Sequence, residues 1–354
     1  MNNDIIDVQY VAEKYLDEGG DWELSLPADK MERVVFYSSL YRYYGIPYFQ
    51  DKAQRLLEIL WEELDNEKFD NDAGYLTWIG WGVEWLGRNG FLEENTDEVL
   101  EALDDEIYKN TLHCKSSDLS VKKGALGKAN YFLARYSNKK NDTHRFRRIC
   151  HEECLIFLVD EMEEKLFDGR NGTIHRYLNS GRMPARKDLL EFSQALVLLA
   201  KVANSRLQVP VIEKIIDRIT SYIIKIFYLL DRRQIEYNLK ELLRVSYSYA
   251  FAGKILFHSA REEEGNKWFE FLVTFADQKV LQDPHVWQVI NRVIQEKEDI
   301  RYTSIAETNA INCMNKMKNT GVSCWSDFSY RSVLSLLSYG KAEIMKWDEM
   351  ELIT

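Results

Sequence analysis

Apolar residues recur along this chain at the three- and four-residue spacing of helices, and no alternating strand run with a hairpin turn competes with them. Ala53, Leu56, Leu57, Leu60, Trp61 and Leu64 fall on one helix face. Ile212, Ile215, Ile216, Ile219, Tyr222, Ile223 and Ile226 repeat the pattern further on. Only five prolines occur in 354 residues, so little interrupts such helices. Asn95 or Thr96 can cap a helix whose first turn holds Asp97 and Glu98, where carboxylates meet the positive end of the helix dipole. The pattern predicts an all-α fold.

A longer repeat is laid over this period. Apolar segments entered through an aspartate begin at Asp29, Asp72, Asp118, Asp188, Asp283 and Asp327, with a further segment near Arg244 that lacks the aspartate. The starts lie roughly 40 to 70 residues apart, about two helices and their loops. A more charged amphipathic helix, such as 51–64 or 97–108, falls between consecutive starts. About seven helical hairpins are expected, and a closed double ring with apolar helices inside suits them. Helix capping is the simplest role for the aspartates; a rim of carboxylates around one mouth of the ring is the alternative. No convincing linker interrupts the series, so residues 1–354 read as one domain. The most loop-like stretch runs from Asp168 to Lys187 and carries Arg170, Arg176, Arg182 and Arg186. It reads as a solvated connection, or as a basic arm for an acidic peptide or another subunit.

Charge and targeting narrow the function classes. The formal net charge is −11, so nucleic acid and anionic membrane are not expected as main partners. Residues 1–18 carry acids where a secretory signal needs a basic start and an apolar run. No stretch approaches the roughly 20 apolar residues of a membrane span; Lys225 interrupts the closest, 223–230. Five irregularly spaced cysteines make no disulfide framework. A cytoplasmic protein without membrane insertion is expected.

The segment from Tyr75 to Leu86, with Trp78, Gly80, Trp81, Gly82 and Glu84, followed by Asn89-Gly90-Phe91 and Asn95 to Leu100, is distinctive. It resembles the second hairpin of lanthionine synthetase C-like proteins of the Bacteroidetes type. Ser117-Asp118-Leu119-Ser120, leading to Gly124-Ala125-Leu126-Gly127 and Tyr131 to Arg135, is similar to the third, and 30–44 to the first. These matches cover roughly residues 28 to 136. The resemblance implies an α/α toroid of seven inner and seven outer helices. It also implies inner helices that begin at glycine pairs, of which Gly124 and Gly127 remain. Tyr75 and Trp78 stand where glycines are expected, so aromatic side chains crowd the central opening.

Active members of that family cyclise peptides: a zinc lowers the pKa of a substrate cysteine, whose thiolate adds to a dehydrated serine or threonine. Two cysteines and a histidine hold the metal, and a further histidine carries protons. Aligned to those segments, Ser248 stands where the first cysteine belongs, within Val245-Ser246-Tyr247-Ser248-Tyr249. Asp283-Pro284-His285 keeps His285 but puts Pro284 in the place of the second cysteine, and Ser193 replaces the other histidine. A neutral serine oxygen is a poor zinc ligand. The implied protein is a degenerate, zinc-less member with no assigned catalytic residue and no expected cofactor. It binds a peptide or a companion peptide-maturation enzyme. Trp78, Trp81, Ser193, Tyr247, Ser248, Tyr249 and His285 are its candidate cavity residues, although packed core is the simpler role for the aromatics.

Two further readings stay open. In one the zinc ligands lie elsewhere, as Cys313, Cys324 and His285, and the chain is an active cyclase that holds zinc. In the other, two mouth aspartates act as general acid and base of a carbohydrate-active toroid. Cys150 and Cys154 share a helix face from which His151 points away, so buried structural thiols are the expected role there. No hydrolase elbow or phosphate loop is present.

Overall fold

The computed structural model describes residues 27–66, 73–138, 145–168, 172–174, 177, 183–276, 286, 289 and 290. Eleven helices are assigned and no strand occurs among the described residues. The class is all-α. No helix among them is long and apolar enough to cross a membrane. The described residues fall into two compact units.

The first unit contains α1 (Pro27–Tyr44) and α2 (Pro47–Asn66), which pack as a hairpin. Gly45, at φ +65°, supplies the left-handed residue that turns the chain, and Pro47 opens α2, where a missing N–H costs nothing. Met31, Val34, Val35, Phe36, Tyr37 and Leu40 are buried, and Ala53, Leu56 and Leu60 of α2 lie inward as the apolar spacing requires. Lys30, itself buried, pairs with Glu63 across the hairpin.

The second unit runs through α3 (Ala73–Arg88), α4 (Thr96–Val99), α5 (Glu101–His113), α6 (Ala125–Ser137), α7 (Arg145–Phe167), α8 (Arg186–Asn204), α9 (Val209–Leu229), α10 (Arg232–Ile255) and α11 (Ser259–Phe275). Its helices pack in two layers. The apolar helices α3, α6, α8 and α10 each lie against the next in chain order. Each is backed by an amphipathic helix that follows it: α5 on α3, α7 on α6, α9 on α8 and α11 on α10. Burial separates the layers. All residues from Ala125 to Arg135 of α6 are buried, whereas α9 buries one stripe, the isoleucine series read from the sequence.

Glycine permits the closest approaches. A Cβ on Gly127 would sit 2.1 Å from the Val121 carbonyl oxygen, and one on Gly124 would sit 2.4 Å from that of Asp118. The 118–121 loop therefore lies directly on the first turn of α6. Positive φ is not what these glycines supply, since Gly124 has φ −103°.

Of the aspartates that mark the repeat, Asp118 and Asp188 do not cap α6 and α8. The residues before α6 and α8 are Gly124 and Ala185, neither with a side-chain cap bond. Asp118 instead accepts from the Ser120 N–H (2.9 Å) and hydroxyl (2.7 Å), and Asp188 lies in the first turn of α8. Asp72, Asp283 and Asp327 lie outside the described residues. The capping box belongs to Asp231, whose carboxylate accepts from the Gln234 N–H at 2.8 Å while its own N–H donates to Gln234 Oε1 at 3.1 Å. Asn95 caps α4 through Asp97 N–H at 3.1 Å.

Candidate functional site

Six of the seven candidate cavity residues, Trp78, Trp81, Ser193, Tyr247, Ser248 and Tyr249, are packed within the second unit. Trp78 and Trp81 are 3% and 5% exposed, with ring centroids 5.6 Å apart on α3. Tyr247 meets Phe269 edge-on, and Tyr249 stacks on Trp268 at 5.2 Å. These four fill space between layers and offer no open aromatic face. Ser193 and Ser248 are fully buried on α8 and α10, which pack together. The Ser193 hydroxyl donates to the Leu190 carbonyl at 2.8 Å, while the Ser248 hydroxyl has no hydrogen-bond partner. Ser248, at the first aligned ligand position, offers zinc only a neutral hydroxyl, and Ser193, at the aligned proton-carrier position, offers no imidazole. His285, Cys313 and Cys324 lie outside the described residues. Among the described residues no group of three or more His, Cys, Asp or Glu is arranged to hold a metal. Cys154 is buried, which pushes its thiol up to about 12, and Cys150 is half-buried.

Two polar clusters stand out instead. The deeper one surrounds Arg135 of α6. Its guanidinium grips Asp104 of α5 through Nε (3.1 Å) and Nη2 (2.7 Å), and reaches Glu84 of α3 at 2.8 Å and Asp97 of α4 at 2.7 Å. Tyr131 donates to Asp104, Thr96 donates to Glu84 at 2.9 Å, and His151 Nε2 lies 3.6 Å from Asp104. Burial raises the Asp104 carboxyl, but the bonds from His151 and Arg135 outweigh it and hold Asp104 at about 2. With most of its donors and acceptors turned on one another, this cluster joins five helices, α3 to α7, while the buried His151 Nδ1 has no hydrogen-bond partner. Its sequence signal is a charge inside an apolar run: Arg135 after Tyr131-Phe132-Leu133-Ala134, and Glu84 between Trp81 and Trp85.

The second cluster lies where α6 and α8 begin. Lys187 joins Asp118 (3.4 Å) to Glu191 (3.6 Å), so two carboxylates share one lysine. Asp188 accepts from the Tyr177 hydroxyl, and the buried Tyr222 hydroxyl near them has no partner. Burial pushes the Glu191 carboxyl up to about 7; Lys187 opposes this, and the charges of Asp188 and Asp118 add to it. A raised carboxyl pKa means the folded state resists ionisation. Glu191 therefore costs nothing below about pH 4.5 and costs progressively more as pH rises toward 7. Glu191→Gln should stabilise the protein at pH 8 by roughly 1–3 kcal/mol and change little at pH 4.5. Urea denaturation of both proteins at the two pH values checks this; equal effects at both would contradict a buried, neutral-pH titration.

Beside this cluster an open groove of about 680 Å³ separates the starts of α8 and α10. Met183, Pro184 and Ala185 form one wall and Gln234, Tyr237 and Asn238 the other, with Arg186 and Arg233 among the lining residues. Asn238 breaks the helical geometry of α10 (φ −110°, ψ 16°), and its amide donates to the Gln234 carbonyl at 3.0 Å. Of the basic 168–187 stretch, Arg186 reaches the groove; Arg170, Arg176 and Arg182 lie outside the described residues.

The second unit is a two-layered all-helical arrangement with an open groove at the starts of α8 and α10. No protein-family model, no curated protein and no solved structure matches the chain.

Proposed function

We propose that this chain is a binding protein of the lanthionine synthetase C-like type, a degenerate α/α toroid without catalytic zinc. It holds a peptide, or a companion peptide-maturation enzyme, at the open end of its inner helices. The observation that carries this reading is the groove between α8 and α10, whose volume falls in the range of roughly 300–1,000 Å³ that suits small ligands and peptide segments. Ser248, at the first aligned ligand position, supplies no thiolate, and Ser193, at the aligned proton-carrier position, supplies no imidazole; both support the loss of zinc chemistry. Burial of Trp78, Trp81, Tyr247 and Tyr249 moves the expected contact surface from those rings to the groove. In a test, a pool of short synthetic peptides of mixed composition is passed over the immobilised protein. Retention of a defined subset is expected, and elution of the whole pool unretained would refute a peptide-holding role.

One observation favours a second reading, a hydrolase of the acid–base kind. Glu191, titrating near 7 beside Lys187 and Asp118, has the pKa of a proton carrier at neutral pH. Its side chain is only 7% exposed, which favours the binding role.

A further inference from the structure

Arg186 and Arg233 are the feature of the groove that its shape does not explain. Acidic residues outnumber basic ones in this chain by 57 to 46, and several exposed cations of the second unit pair with carboxylates: Arg232 with Glu236, Arg218 with Glu163, and Lys187 with Asp118 and Glu191. Among the described residues Arg186 and Arg233 have no carboxylate partner. Arg186 is nonetheless held in place. Its guanidinium lies 3.9 Å over the Tyr237 ring, and one N–H donates to the Tyr237 carbonyl. The one carboxylate lining the groove, Asp231, is engaged in its capping box. At the same end α8 starts from Ala185, which makes no side-chain cap bond, and the Asp188 N–H turns back onto the Ala185 carbonyl at 2.9 Å.

Resting on the peptide-binding reading above, we infer that the groove selects an acidic peptide segment. A carboxylate of the ligand takes the two arginines, and an adjacent apolar residue lies on Met183 and Pro184. Planar guanidinium groups match a carboxylate through paired N–H bonds. Arg186, immobilised on Tyr237, loses little further freedom on making them. Nucleic acid fits the site poorly: two arginines neutralise few phosphates, and the rest of the chain repels a polyanion. A short acidic peptide presents its charge where the two cations are and little elsewhere.

Three fluorescein-labelled peptides of equal length test this by anisotropy: alternating Leu-Glu, Leu-Gln and Leu-Lys. The Leu-Glu peptide should bind the full chain about tenfold or more tighter than Leu-Gln, and Leu-Lys weakest. The charge reversals Arg233→Glu and Arg186→Glu with Arg233→Glu should abolish that preference and favour Leu-Lys. Arg233 is exposed and without a packing partner, so the single variant keeps the test sound if the double variant misfolds. Equal binding of Leu-Glu and Leu-Gln would overturn the acidic selectivity and leave a peptide-holding role standing. Binding of none of the three would remove both. A Leu-Glu preference unchanged in Arg233→Glu would place the site elsewhere.

Discussion

Replacing Arg135 by methionine should cost about 3–5 kcal/mol of folding stability, the penalty for leaving buried carboxylates without their cation. Methionine keeps much of the side-chain volume, so the loss reports charge rather than a cavity. Three carboxylates from three elements, Glu84, Asp97 and Asp104, converge on this guanidinium, whose side chain is fully buried. Against a typical total of roughly 5–15 kcal/mol, the variant should unfold at much lower urea, or fail to fold at 37 °C. Arg135→Lys should recover little, because one ammonium cannot bridge carboxylates on α3, α4 and α5. The effect has a pH signature. Asp104 is depressed to about 2 in the folded state, so its contribution is complete above pH 4 and fades as pH falls toward 2. The gap between wild type and Arg135→Met should narrow over that window. An unchanged urea midpoint at pH 7 would contradict the role given to Arg135.

This cluster also shows where reading the sequence stops. The isoleucine face of α9, the two-helix repeat and the all-helical class follow from apolar spacing, because burying one stripe is a local demand that a sequence displays directly. Arg135 and Glu84 look like flaws in apolar runs until tertiary packing brings them together across 51 residues. The groove is hidden for the same reason: Arg186 and Arg233 share it only because α8 packs on α10. The aromatic residues with the most distinctive sequence context, Trp78 and Trp81, turn out to be packing. The sequence marks the glycine pair and the mouth aspartates, but not what each does. Asp118 and Asp188 join a polar cluster, while the capping role falls to Asp231, whose Asp-Arg-Arg-Gln spacing is itself a legible signal.

The second large effect concerns the pair Gly124 and Gly127. Gly127→Val should destabilise the protein by about 3 kcal/mol, since even a Cβ would lie 2.1 Å from the Val121 carbonyl oxygen and the loop must move away. That loop holds Asp118, and through Lys187 it touches Glu191. The displacement should therefore also alter the neutral-pH titration of Glu191, read as a changed pH dependence of stability between pH 5 and 8. A variant as stable as wild type would show that the loop does not lie on the first turn of α6.

Zinc content per chain, measured by elemental analysis of untagged protein purified without chelator, tests most directly the proposal of a binding protein without catalytic zinc. The account predicts folded protein with no stoichiometric zinc. About one zinc per chain would contradict it, placing the ligands elsewhere than the aligned positions Ser248, Pro284 and His285 and restoring the peptide cyclase as the function to pursue.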